Sequence, residues 1–100
     1  QLGLAARRRI EIESGLRDAL ARGELCLHYQ PQIDVASGRV DGVEALMRWH
    51  HAEWGWVSPG EFIPVAEDCG LIDALGDWTL DAALAQAADW RAHGLELRVA

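Results

Sequence analysis

Two stretches of the chain alternate between apolar and polar residues, and longer stretches around them repeat every three or four residues. In the first alternating run Leu25, Leu27 and Tyr29 share one face, and Cys26, His28 and Gln30 the other. Pro31 removes a ladder donor, so that strand must end, bulge or lie at an edge there. Ser37-Gly38 is a turn signal ahead of the second run, Gly42-Val43-Glu44-Ala45-Leu46-Met47-Arg48-Trp49. The two runs predict a hairpin, hence an antiparallel pair at the start of the fold. In the second run Val43, Ala45, Met47 and Trp49 form a continuous apolar side. Glu44, Leu46, Arg48 and His50 form the opposite side, where two charges flank a single leucine. Unpaired charges lose hydration on burial, so stability alone does not account for such a side.

The helical pattern comes first from Arg7 to Arg22, where Ile12, Leu16, Ala19 and Leu20 make one stripe. Gly15 weakens that helix and Gly23 is placed to end it. This is the pattern of a packing or interdomain linker helix. His50 to Val57 reads as a polar, Trp-rich loop. At Ser58-Pro59-Gly60-Glu61 a helix begins: Ser58 caps, Pro59 takes the first turn and Glu61 completes a capping box. Phe62, Ile63, Val65 and Ala66 supply its buried side and Gly70 closes it. A longer helical run extends from Leu71 or Leu75 to His93, with Leu80, Leu84, Ala87 and Trp90 on one side. Gly76 can divide it in two, Gly94 is a C-cap, and Leu95 to Ala100 has the character of another strand. The order helix, strand, strand, helix, helix, strand predicts an α/β fold with parallel pairing after the hairpin.

Composition narrows the possibilities. One hundred residues with a quarter charged and half hydrophobic make one globular domain at most, with a small core. A net charge of -7 excludes a broad nucleic-acid-coating surface. The one cationic cluster, Arg7-Arg8-Arg9, is followed by Glu11 and Glu13 and reads as a solvated helix face. Cys26 and Cys69 have no metal or redox spacing and fit reduced thiols of a cytoplasmic protein; a disulfide is the minority reading. No run approaches the roughly 18 apolar residues of a membrane span, and the amino terminus lacks a secretory core. Both ends look cut from something longer.

Candidate chemistry centres on the charged side of the second strand. Glu44 and Arg48 lie four residues apart, about 13 Å along an ideal strand, too far for one compact acid–base pair unless the chain bends. They suit a large substrate, with a carboxylate at a metal and a guanidinium at a phosphate; the plain alternative is two solvated charges. Gln30, at the end of the partner strand, has an amide able to read a base edge, or is simply a strand-end amide. His50 and His51 are adjacent, so on a strand they point to opposite faces and share no metal. Glu61 has a structural task as a cap, while that of Glu67 stays open.

Tyr29-Gln30-Pro31, the run Gly42 to Trp49, the segment Ser58-Pro59-Gly60-Glu61-Phe62-Ile63-Pro64-Val65-Ala66-Glu67, and Gly70-Leu71-Ile72 together resemble the first part of a bacterial EAL domain. Glu44-Ala45-Leu46 matches the family's signature tripeptide. The helix Arg7–Arg22 also resembles the segment joining a GGDEF diguanylate cyclase domain to an EAL domain. The resemblance implies an α/β fold, the N-terminal portion of a TIM-like (β/α)8 barrel with an antiparallel first strand. Residues 1–22 are then a linker helix and 23–100 the first part of the EAL domain. It implies hydrolysis of cyclic di-GMP to linear pGpG by metal-activated water, with Mg²⁺ or Mn²⁺, two ions in the complete domain. By matching position Glu44 is the catalytic metal ligand, Arg48 contacts a substrate phosphate, and Leu46 and Gln30 line the dinucleotide site. In barrels such residues stand at the carboxyl ends of strands, which also lets the chain bend before Arg48.

The resemblance further implies a homodimer of the complete domain, a preceding GGDEF domain, no nucleic acid polymer as partner and no membrane contact from this segment. The family's other metal ligands and its lysine then fall beyond Ala100. The 100 residues alone are therefore expected neither to hydrolyse cyclic di-GMP nor to bind it tightly, and to expose strand edges. Two other readings stand beside this one. One is a catalytically inactive cyclic di-GMP receptor; the other is a protein-interaction module using the Trp54–Trp56 loop.

Overall fold

The computed structural model describes residues 3–100. Its elements in chain order are α1 (Leu4–Arg22), β1 (Leu25–Ile33), β2 (Val40–His51), β3 (Gly55–Val57), α2 (Pro59–Cys69), α3 (Ile72–Ala92) and β4 (Arg98–Val99). The strands form one four-stranded sheet in the order β1-β2-β3, with β4 also paired to β2. Asp34 N–H bonds to the Arg39 carbonyl at 2.8 Å, and His50 N–H to that of Glu24 at 3.0 Å, at the two ends of the expected hairpin. β3 is antiparallel to β2 and β4 is parallel to it.

The chain divides into two compact units. The first contains the residues up to Cys26 and Arg48–Gly76. Its interior is built by α1 packing on α2. Ile12 and Leu16 from α1, Trp49 from β2, Phe62 from α2 and Leu75 from the start of α3 are essentially inaccessible. Ala19, Leu25, Val57, Val65 and Ala66 complete it. The heptad-like spacing of Ile12, Leu16 and Ala19 turns one face of α1 inward, and Gly23, at φ 68°, ends the helix in the left-handed conformation.

The second unit contains Leu27–Met47 and Asp77–Ala100. Here β2 and β4 pair in parallel register, Gly42 with Arg98 and Val43 with Val99. The ladder continues through Ala100 N–H to the Val43 carbonyl at 2.9 Å and Ala45 N–H to the Ala100 carbonyl at 2.8 Å. Gly42 is needed for this approach, since a Cβ there would lie 2.7 Å from the Arg98 carbonyl oxygen. Val43 is the buried apolar residue of this unit among the described residues. Leu80, Leu84 and Leu95 remain more than half exposed.

Four local expectations change. The segment after the second strand is not all loop: β2 continues to His51, and Gly55–Val57 folds back on it as β3, pairing Trp49 with Val57, His50 with Trp56 and His51 with Gly55. The turn uses Gly55 at φ 73°. Gly76 does not divide α3, which runs unbroken for 21 residues; one glycine costs only about 1 kcal/mol relative to alanine, too little to break a helix of this length. Ser58 caps α2 by accepting from Gly60 N–H at 3.3 Å, but the capping box does not form. The Glu61 carboxylate is instead taken by Arg8, whose Nε donates to it at 2.7 Å. The fourth change follows from that bond. The arginine cluster is not simply solvated, because Arg8 holds Glu61 and Arg9 holds Asp68 at 2.8 Å, tying α1 to α2.

Gly15 serves packing rather than weakness. A Cβ there would lie 3.1 Å from two carbons of the Trp49 ring. Trp49 cannot easily yield, being fully buried and tethered through its indole nitrogen to Glu24 at 3.1 Å. Gly15→Ala would gain about 1 kcal/mol of helix propensity, but overpacking a tight site costs about 1–3 kcal/mol. The expected outcome is a net loss of stability, seen as a lower urea midpoint at unchanged m-value. A higher midpoint would show that the ring has room to move.

Candidate functional site

Glu44 stands midway along β2, with the peptide groups on either side held by Ala100. Its side chain is exposed. Leu46, two residues on, is half-buried, and Gln30 is exposed on β1 beside Pro31. These three belong to the second unit and Arg48, half-buried on the same strand, to the first. The alternation expected for β2 holds at its ends, where Val43 and Trp49 are buried and Glu44 and His50 exposed; residues 45–48 are all half-buried. β2 does not end before Arg48: it is strand through Arg48 to His51.

The metal reading meets a clear test. Among the described residues no three of His, Cys, Asp and Glu gather where they could hold an ion. Glu44 offers one carboxylate, and a divalent cation takes around six oxygen donors. The residues present do not by themselves make a metal centre. Cys26 and Cys69 are half-buried free thiols. Among the described residues no helix is long and apolar enough to cross a membrane.

On the other side of β2 is a network that no local pattern announces. Trp49 packs edge-on to Phe62, Trp54 and His51, with ring centroids 5.7–5.9 Å away. Its indole N–H donates to Glu24, whose second carboxylate oxygen accepts from Ala52 N–H at 3.2 Å. Partial burial pushes the Glu24 carboxyl up, but the hydrogen bonds from Trp49 and Ala52, with His51 and Arg22 nearby, outweigh it and hold the group below its ordinary range. His51 Nδ1 accepts from the backbone N–H groups of Glu53 at 3.0 Å and Trp54 at 3.1 Å. The ring proton therefore sits on Nε2. The imidazole stacks on Trp54 at 3.7 Å, and the Arg8 guanidinium covers that indole at 4.7 Å. The hydrogen bond from Arg8 is also the main reason the Glu61 carboxyl lies below its ordinary range.

These contacts fix the tryptophan-rich turn that carries β3, and so the end of β2 past Arg48. Beyond Arg48, the exposed His50 meets Trp56 across the β2–β3 pair, ring centroids 4.6 Å apart and nearly perpendicular. In the second unit Tyr29 meets Trp90 edge-on at 4.9 Å, and burial pushes its phenol up, keeping it neutral.

Comparison with known proteins defines the class of this α/β chain. The family model described as the EAL domain matches residues 13–100, and the chain belongs to that family. It is 45% identical over 100 residues to a cyclic di-GMP phosphodiesterase of Pseudomonas aeruginosa, covering 99% of this chain and 17% of that protein. It is 45% identical over 85 residues to the bifunctional diguanylate cyclase/cyclic di-GMP phosphodiesterase MucR of the same organism, covering 85% of this chain and 12% of MucR. Among solved structures, the P. aeruginosa MucR phosphodiesterase in complex with cyclic di-GMP superimposes with a TM-score of 0.84 at 42% identity. That match covers 89% of this chain and 36% of the MucR chain. The chain thus spans a small part of the curated relatives' length and about a third of the solved phosphodiesterase.

Proposed function

We propose that this chain is the N-terminal part of an EAL domain that hydrolyses cyclic di-GMP to linear pGpG. The observation that carries the reading is the EAL match over residues 13–100 with Glu44, Leu46 and Arg48 in register on one strand and the Glu44 carboxylate exposed. Glu44 supplies one carboxylate donor to a divalent cation, Mg²⁺ or Mn²⁺. Two such ions in the complete domain take their remaining donors from outside these residues. Bound there, such cations would supply a nucleophilic water at neutral pH and charge compensation for the phosphate. Arg48 grips a phosphate oxygen, for which a planar guanidinium is suited. Leu46 packs on the dinucleotide, and the Gln30 amide reads a base edge.

Residues 1–22 are proposed as a linker helix, following a GGDEF domain as in MucR, and 23–100 as the EAL portion of a cytoplasmic homodimer. An acidic protein meeting a dianionic ligand needs cations between them, and the described residues gather no cluster to hold one. Alone they are expected neither to turn over cyclic di-GMP nor to bind it tightly. The test compares the full-length protein with the 100-residue chain by chromatographic detection of pGpG, with and without Mg²⁺. Turnover by the full-length protein and none by the fragment is the expected result. Full-length binding without turnover identifies a receptor instead, and absence of binding an interaction module.

A further inference from the structure

We propose that Trp56, braced by His50, is a stacking wall for one base of the cyclic dinucleotide, an inference that rests on the function proposed above. Arg48 and His50 lie on the same side of β2, separated by about 7 Å of strand rise. The antiparallel register sets Trp56 directly opposite His50, and directly opposed residues share a face of the sheet. The face therefore continues past the phosphate-binding guanidinium into an aromatic pair, all within the first unit.

Three features distinguish Trp56 from the other tryptophans of this turn. It is 59% exposed, whereas Trp49 is fully buried and Trp54 is half-buried under Arg8. Its indole is not loose, because the imidazole of His50 meets it at 79° with centroids 4.6 Å apart. Its backbone is fixed by the β2–β3 ladder and by Gly55 at φ 73°. An indole presents a large flat surface suited to stacking on another ring. A cation at the phosphate followed by an aromatic plane at the base is the arrangement by which unpaired nucleotides are bound. Stacking tolerates any base, so Trp56 contributes affinity while base identity is read elsewhere.

The test uses the full-length protein and its Trp56→Ala and Trp56→Phe variants, titrated calorimetrically with cyclic di-GMP and assayed for turnover. Trp56→Ala is expected to weaken binding about 5- to 100-fold, the range of one base–aromatic stack. The loss should fall mainly on KM, as removal of ground-state binding does. Trp56→Phe should restore most of the affinity, and the thermal midpoint should hold because the side chain is exposed. Unchanged affinity in Trp56→Ala overturns the proposal, as does an equal loss in Trp56→Phe or a change confined to oligomeric state. Failure of the unaltered protein to bind cyclic di-GMP overturns the underlying function, and this inference with it.

Discussion

Replacing Trp49 with alanine is expected to destabilise the domain by about 3–5 kcal/mol, the range for removing a fully buried large aromatic. The side chain is completely inaccessible and lies in the interior of the first unit. Phe62 from α2, Trp54 and His51 from the turn, and Gly15 from α1 all meet its ring. Truncation leaves a cavity bordered by rigid partners, and it also leaves the Glu24 carboxylate without its indole donor. Small domains are stable by only about 5–15 kcal/mol, so this one substitution removes a large share. Trp49→Phe separates the two contributions: it keeps most of the ring volume and loses the hydrogen bond, so it should cost clearly less. Urea unfolding of both variants checks the order. Equal losses would mean that the bond to Glu24, not the packing, dominates.

The second large effect concerns chemistry. Glu44→Ala in the full-length protein is expected to lower kcat/KM for cyclic di-GMP hydrolysis by more than about 100-fold. Removing a group that merely orients a metal ligand costs about 10- to 100-fold, and a ligand itself should cost more. The fold should be unaffected, because the side chain is exposed and makes no packing contribution. Glu61→Ala is the matched control, a carboxylate whose partner is Arg8 and whose loss removes a surface ion pair worth at most about 1 kcal/mol. Glu44→Ala with more than a tenth of the original activity would remove Glu44 from the set of metal ligands.

Much of this fold is legible in the chain because its signals are local. The three-and-four spacing of Ile12, Leu16 and Ala19 and the glycines at 23 and 70 mark helices and their ends in the residues themselves. The charged side of β2 is legible too, since strand alternation needs no tertiary information. What escaped the sequence depends on distant partners. β3 has three residues, too few to show a period, and it is a strand only because β2 extends far enough to pair with it. The capping box failed because an arginine 53 residues away competes for Glu61. The Glu24–Trp49 bond joins residues 25 positions apart and leaves no pattern in either neighbourhood. The candidate site is the sharpest case: alternation identifies the face that carries Glu44, but one carboxylate cannot state where its co-ligands come from.

The division of the chain into two units has a consequence for synthesis. Ten of the eleven buried apolar residues described belong to the unit whose last residue is Gly76. On the ribosome that unit has all its parts once Gly76 leaves the exit tunnel, while the following 24 residues take only about 1–5 s to be made. It can bury Trp49 before β4 exists. The parallel strand arrives afterwards, at the Gly42 edge of a hairpin already made.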